Sequence, residues 1–122
     1  MIKITVDEAY AFDYFSILEI KKKNGSNISN IIEIIENDLV SQIGLEKFRS
    51  IKESSEYKKL YISNQETFEA VDKAKNDYVK ASYVDKCNYK RMICKKELQE
   101  KFFGQNLTEQ KMGYEKLDFE NE

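Results

Sequence analysis

The chain of 122 residues has no proline, no histidine and no tryptophan, and only four glycines and two cysteines. Each shortage excludes something. With no proline, and only Gly25, Gly44, Gly104 and Gly113 to make turns, an all-β sandwich lacks the residues it needs. Without histidine, the commonest general base, zinc ligand and near-neutral pH switch are missing. Catalysis would fall to carboxylate, lysine, tyrosine or cysteine side chains. No glycine-rich phosphate loop, nucleophile elbow or zinc motif occurs. Neither sign of charge dominates. Twenty Lys and Arg face 22 Asp and Glu, a formal net charge of −2 that leaves no global basic footprint for nucleic acid.

Long apolar runs are missing too. The stretch 9–20 is interrupted by Asp13, Ser16 and Glu19 and is too short to span a membrane. It follows Asp7 and Glu8 rather than a basic region, unlike a signal peptide. A cytoplasmic protein without membrane contact is expected. Abundant Ile, Lys and Asn fit an AT-rich genome, bacterial or viral. Cys87 and Cys94 are seven residues apart, about 10.5 Å along a helix. A disulfide needs Cα atoms within roughly 7 Å, so two free thiols are expected, with a bridge between chains as the alternative.

What is present is helical material. Apolar residues make up 41% of the chain and charged residues 34%, a balance suited to helices with wet outer faces. Residues 64–103 contain neither Gly nor Pro. They predict one helix of about 40 residues, roughly 60 Å long. Asn64 is either its cap or, since Tyr57, Leu60, Asn64, Phe68, Val71, Ala74, Tyr78 and Ala81 hold one phase, a polar position in a continuous helix that starts near residue 55. Such a rod is longer than a compact domain of this size is wide.

Ahead of it, Ile2, Ile4 and Val6 alternate with polar residues, as in a short strand. Thr5 and Glu8 have the spacing of a capping box, opening a helix that runs to about Lys23 and stops at Asn24-Gly25. This helix is apolar around most of its circumference, with Asp13, Ser16 and Glu19 as a narrow polar stripe. It is expected to be central, although Tyr10, Phe12, Tyr14 and Phe15 would otherwise make an interaction surface. Ser26 or Ser29 caps a second helix that ends at Gly44. Its stripe is Ile28, Ile31, Ile32, Ile35, Leu39 and Ile43, with Glu33, Glu36 and Asn37 facing away. A short third helix follows through Leu45, Phe48 and Ile51, and Ser54 or Ser55 can cap the restart. The domain is expected to span 1–103. The acidic tail 104–122 should dock on it, or on a partner, through Leu107, Met112, Tyr114, Leu117 and Phe119.

Three constellations bear on chemistry. Glu33 and Glu36, with Glu69 and Asp72, are two pairs of carboxylates at i and i+3, each on one helix face. Facing one another, they would hold Mg²⁺ through oxygen ligands and activate water. These four residues resemble the metal motif of the all-α nucleoside triphosphate pyrophosphohydrolases. The resemblance implies Mg²⁺-dependent nucleotide hydrolysis in a small helical oligomer. The gap between the pairs is longer than that family usually shows, and its surrounding motifs are absent. Asp85, Asn88 and Arg91 form the second group. Three polar residues at three-residue steps can reach one neighbour and fix helix register, or hold an anion through Arg91. The basic run Lys86, Lys90, Arg91, Lys95 and Lys96 could meet nucleic-acid phosphates. It also suits the negative end of a helix dipole or a landing place for the tail.

These features together predict an all-α bundle of three to four helices with one long C-terminal helix. The expected role is a non-catalytic structural or interaction module without cofactor. Its partner would be a second copy in an isologous dimer, and another protein is a further candidate.

Overall fold

The computed structural model describes residues 1–76 and 79–104. It contains five α-helices: α1 Glu8–Lys23, α2 Ser29–Ile43, α3 Leu45–Lys52, α4 Ser55–Lys75 and α5 Ala81–Phe102. The described residues form a helical bundle with no strand among them. Residues 105–122 lie outside the described residues, and with them the expected docking of the tail.

Helix α1 is the centre of the bundle. It packs against α2, α4 and α5. Ala9, Phe12 and Phe15 are buried in a cluster with Leu39 of α2, Phe48 and Ile51 of α3, Tyr57 and Leu60 of α4, and Leu98 of α5. Four aromatic rings interlock there. Phe12 stacks on Phe48 at 6.0 Å and meets the edge of Tyr57 at 6.3 Å, while Phe15 meets Phe48 edge-on at 5.8 Å. Each fully buried ring or aliphatic side chain contributes roughly 1.5–3 kcal/mol.

The middle of the chain follows its local signals. Gly44, with φ of 90°, closes α2 and turns the chain into α3; an L side chain is strained at this φ. After α3, the Ser54 hydroxyl accepts the Tyr57 amide at 3.1 Å and caps α4. At the far end, the Phe103 and Gly104 amides bond back to the Gln99 carbonyl at 2.9 and 3.0 Å, and α5 stops there.

Three expectations are corrected. Residues 2–6 form no strand, and Ile2 and Ile4 stand exposed; a lone strand has no ladder partner for its backbone groups. Among the described residues the helices number five, not three or four. The predicted rod over 64–103 is two helices, α4 and α5, separated after Lys75 and resuming at Ala81. They fold back as an antiparallel hairpin, pairing Asn64 with Arg91 and Glu56 with Lys101. The Asn76 side chain donates to the Asp72 carbonyl at 3.0 Å, competing with onward helix at that point. The stronger reason lies further along. Only the return of α5 buries Leu98 in the cluster and brings Gln99 to α1.

That return also replaces the expected capping box. Asp7 is the N-cap of α1, and no side-chain capping bond comes from it. The Ala9 amide is instead met by Gln99 Oε1 at 2.8 Å, from 90 positions away, while Gln99 Nε2 donates to Glu8 at 3.0 Å. Helix α5 therefore satisfies the open end of α1. Gln99→Ala is expected to lower stability by about 1–2 kcal/mol in urea unfolding, and Thr5→Ala to change it by less than about 0.5 kcal/mol.

Candidate functional site

The densest polar chemistry lies inside the bundle. Asp13, Ser16 and Glu19 are three residues apart on α1, so they share a face. That face looks inward. Asp13 is 7% exposed and Ser16 fully buried, both against α4, whereas Tyr14 is half exposed. A helix apolar nearly all round can turn its one polar stripe inside only if neighbouring helices supply partners.

They do. Asn64 of α4 sits between Asp13 and Ser16, its Nδ2 donating to Asp13 Oδ1 at 2.8 Å and to Ser16 Oγ at 2.6 Å. Its Oδ1 accepts from Arg91 Nε of α5. The Arg91 guanidinium continues to Asn88 Oδ1 at 3.2 Å and to Asp13 Oδ2 at 3.1 Å. Lys95 brings a second cation to within 3.8 Å of the same Asp13 oxygen, with its ammonium 4.5 Å over the Tyr10 ring. Three helices thus meet on one carboxylate and one amide, and the amide uses both its donor and its acceptor sides.

A turn further along α1, Glu19 makes a smaller cluster. Lys52 of α3 pairs with Glu19 Oε2 at 2.5 Å, and the Tyr57 hydroxyl of α4 donates to Glu19 Oε1. The Lys52 ammonium also lies 4.6 Å over the Phe15 ring and 4.7 Å over the Tyr57 ring. Burial, then the Glu19 carboxylate, pushes the Tyr57 phenol far above its ordinary range.

Chemically, these groups neutralise and orient one another. Asp13 is surrounded by donors and cations that occupy its carboxylate oxygens. Burial pushes the Cys94 thiol up, away from the thiolate a nucleophile needs. Cys87 is buried, and both cysteines are free.

The residues singled out from sequence separate accordingly. Asn88 and Arg91 are in the network; Asp85 is exposed and takes no part in these bonds. Phe12 and Phe15 belong to the core, so they make no surface, and Tyr10 lies beside Lys95. Glu33, Glu69 and Asp72 are exposed and Glu36 is half-buried. Among the described residues no three His, Cys, Asp or Glu side chains gather to hold a metal ion, so the two carboxylate pairs do not form the centre that their resemblance implied. In the basic run, Arg91 and Lys95 turn inward to Asp13, while Lys90 and Lys96 are exposed, so the run is not one continuous outward face. No helix of the described residues is long and apolar enough to cross a membrane.

Sequence reasoning missed Asp13, Ser16, Asn64 and Gln99. A signal was present for three of them. Asn64 interrupts an otherwise apolar phase, and Asp13 and Ser16 interrupt an apolar helix. Gln99 had none, because a glutamine in a charged helix is unremarkable.

Compared with protein families, curated proteins and solved structures, the chain matches none.

Asn64→Ala removes partners from Asp13, Ser16 and Arg91 together, and is expected to cost about 2–4 kcal/mol in chemical denaturation. Asp85→Ala should stay within about 0.5 kcal/mol. The Tyr57 phenol stays protonated in the folded state at a pH where the unfolded chain ionises. Its stability contribution is therefore complete below the ordinary value of 10.0 and falls as pH rises above it. The loss should approach about 1.4 kcal/mol per pH unit. Denaturation curves between pH 9 and 11 on the wild type and Tyr57→Phe check this, with the phenylalanine variant lacking that part of the alkaline slope.

Proposed function

We propose that this chain is a non-catalytic helical interaction module that associates with further copies of itself. The observation that carries this reading is the division of its side chains. The clustered polar groups face inward and bind one another, whereas large apolar side chains stand in solvent. Ile2 is 90% exposed, Ile4 75%, Ile34 of α2 58% and Ile62 of α4 53%. Apolar side chains on several helices favour association over a single buried substrate site. A rod too long for one chain no longer supports a dimer, because α4 and α5 fold back. Support comes from these outward residues.

Helix α2 adds a detail. Residues 24–46 contain Glu33, Glu36, Asp38 and Glu46 and no Lys or Arg. An acidic helix with exposed Ile31 and Ile34 suits a partner surface that is apolar with a basic rim.

Light scattering across a concentration series tests the proposal. The expected mass rises from the 14.4 kDa of one chain toward twice that value as concentration increases. Ile34→Glu with Ile62→Glu, both outward, should weaken that rise without changing helical content. A mass fixed at one chain throughout would sink the self-association.

A further inference from the structure

We infer that α2 of one copy lies antiparallel on α4 of a second copy, with Ile34 against Ile62 and Asp38 against Lys58. The contact rests on the self-association proposed above and names its two faces.

Helix α2 has two sides. Ile32, Ile35, Leu39 and Ile43 pack into the apolar cluster. Ile31, Ile34 and Asp38, at i, i+3 and i+7, share the opposite face, and all three are exposed. Helix α4 carries a matching outward strip. Lys58, Lys59, Ile62 and Glu66 are exposed, and Ile62 lies one turn from each of the three charges. Each strip therefore sets an isoleucine beside charge, acidic on α2 and basic on the first turns of α4. Among the described residues no ion pair within the chain takes Asp38, Lys58 or Lys59.

The order of the charges sets the direction. With Ile34 facing Ile62, an antiparallel α2 brings Asp38, four residues on, level with Lys58, four residues back. Glu66 then lies level with the neutral Asn30. A parallel α2 would set Asp38 on Glu66 instead, like charge on like.

The ends of α2 give a separate reason. Every other helix of the described residues has an acid in its first turn or a base in its last. Helix α2 has neither, and its N-cap Ile28 supplies no side-chain bond. Its dipole is thus left uncompensated by its own residues. In the antiparallel contact, Glu66 and Glu69 of the second copy stand on the side of the α2 N-terminus. Lys58 and Lys59 stand on the side of its C-terminus. Both placements are the stabilising ones. Made reciprocally about a two-fold axis, the contact occurs twice, each copy giving one α2 and one α4.

Two charge reversals and their mixture test this. Asp38→Lys makes both strips basic, and Lys58→Glu with Lys59→Glu makes both acidic. Each chain alone then sets like charge on like, whereas the two mixed chains restore opposite charge at both contacts. The full chains are measured by light scattering across a concentration series, with circular dichroism to follow helical content. The wild type is measured at about 0.05 and about 0.5 M salt, which reads the same charges without any substitution.

Each variant alone should self-associate at least about tenfold more weakly than the wild type. The equimolar mixture should recover most of the wild-type association. Higher salt should weaken the wild type severalfold. Wild-type association equal at both salts, folded variants as strong as the wild type, or a mixture no stronger than its separate members would each overturn the contact. Those results would leave self-association through outward apolar residues standing. A wild type fixed at the mass of one chain at both salts would overturn both.

Discussion

Asp13 is a carboxylate placed inside the bundle, and its requirement for partners organises the helices around it. A buried charge is tolerable only when it is paired and hydrogen-bonded. Asn64 supplies the hydrogen bond from α4, and Arg91 and Lys95 supply the charge from α5. Because those partners come from different helices, the pairing fixes how far each slides along α1. Apolar burial alone would tolerate other registers, since one greasy face packs on another with little directional preference. Here a one-turn shift of α5 would take Arg91 from Asp13 and Gln99 from the Ala9 amide together.

The same constraint explains why α5 can be so polar. A helix with three buried residues would normally be weakly held. This one closes the end of α1, neutralises its buried acid and adds Leu98 to the cluster. Its attachment is thus directional as well as apolar, since Cys94, Phe102 and the C-cap Phe103 also pack against the cluster. The aromatic cluster of Phe12, Phe15, Phe48 and Tyr57 does the opposite work, joining α1, α3 and α4 by shape and area. Glu19 and Lys52 link the two regimes, since the ion pair lies against the rings of Phe15 and Tyr57.

Much of the candidate chemistry dissolves once the chain is folded. The carboxylate pairs at Glu33/Glu36 and Glu69/Asp72 arise from spacing on separate helices, and spacing does not bring helices together. Arg91 and Asn88 were recognisable as polar groups at a three-residue step. Their partners were not, because Asp13 and Asn64 are 78 and 27 positions away from Arg91. Asp85 shares the step but is exposed.

Local order was legible in the residues themselves. Gly44, the Ile stripe of α2, the Leu45–Phe48–Ile51 step of α3 and the Ser54 cap each act over a few positions, so they determine helix ends and short turns without help. The all-helical class follows from the same short-range preferences and from the absence of proline. Tertiary structure alone decided that the last long helical stretch bends back, that the polar stripe of α1 turns inward, and that α1 is capped from its far neighbour. Those outcomes depend on burying Leu98 and on finding partners for Asp13 and the Ala9 amide, needs that arise only when residues many tens of positions apart share one interior.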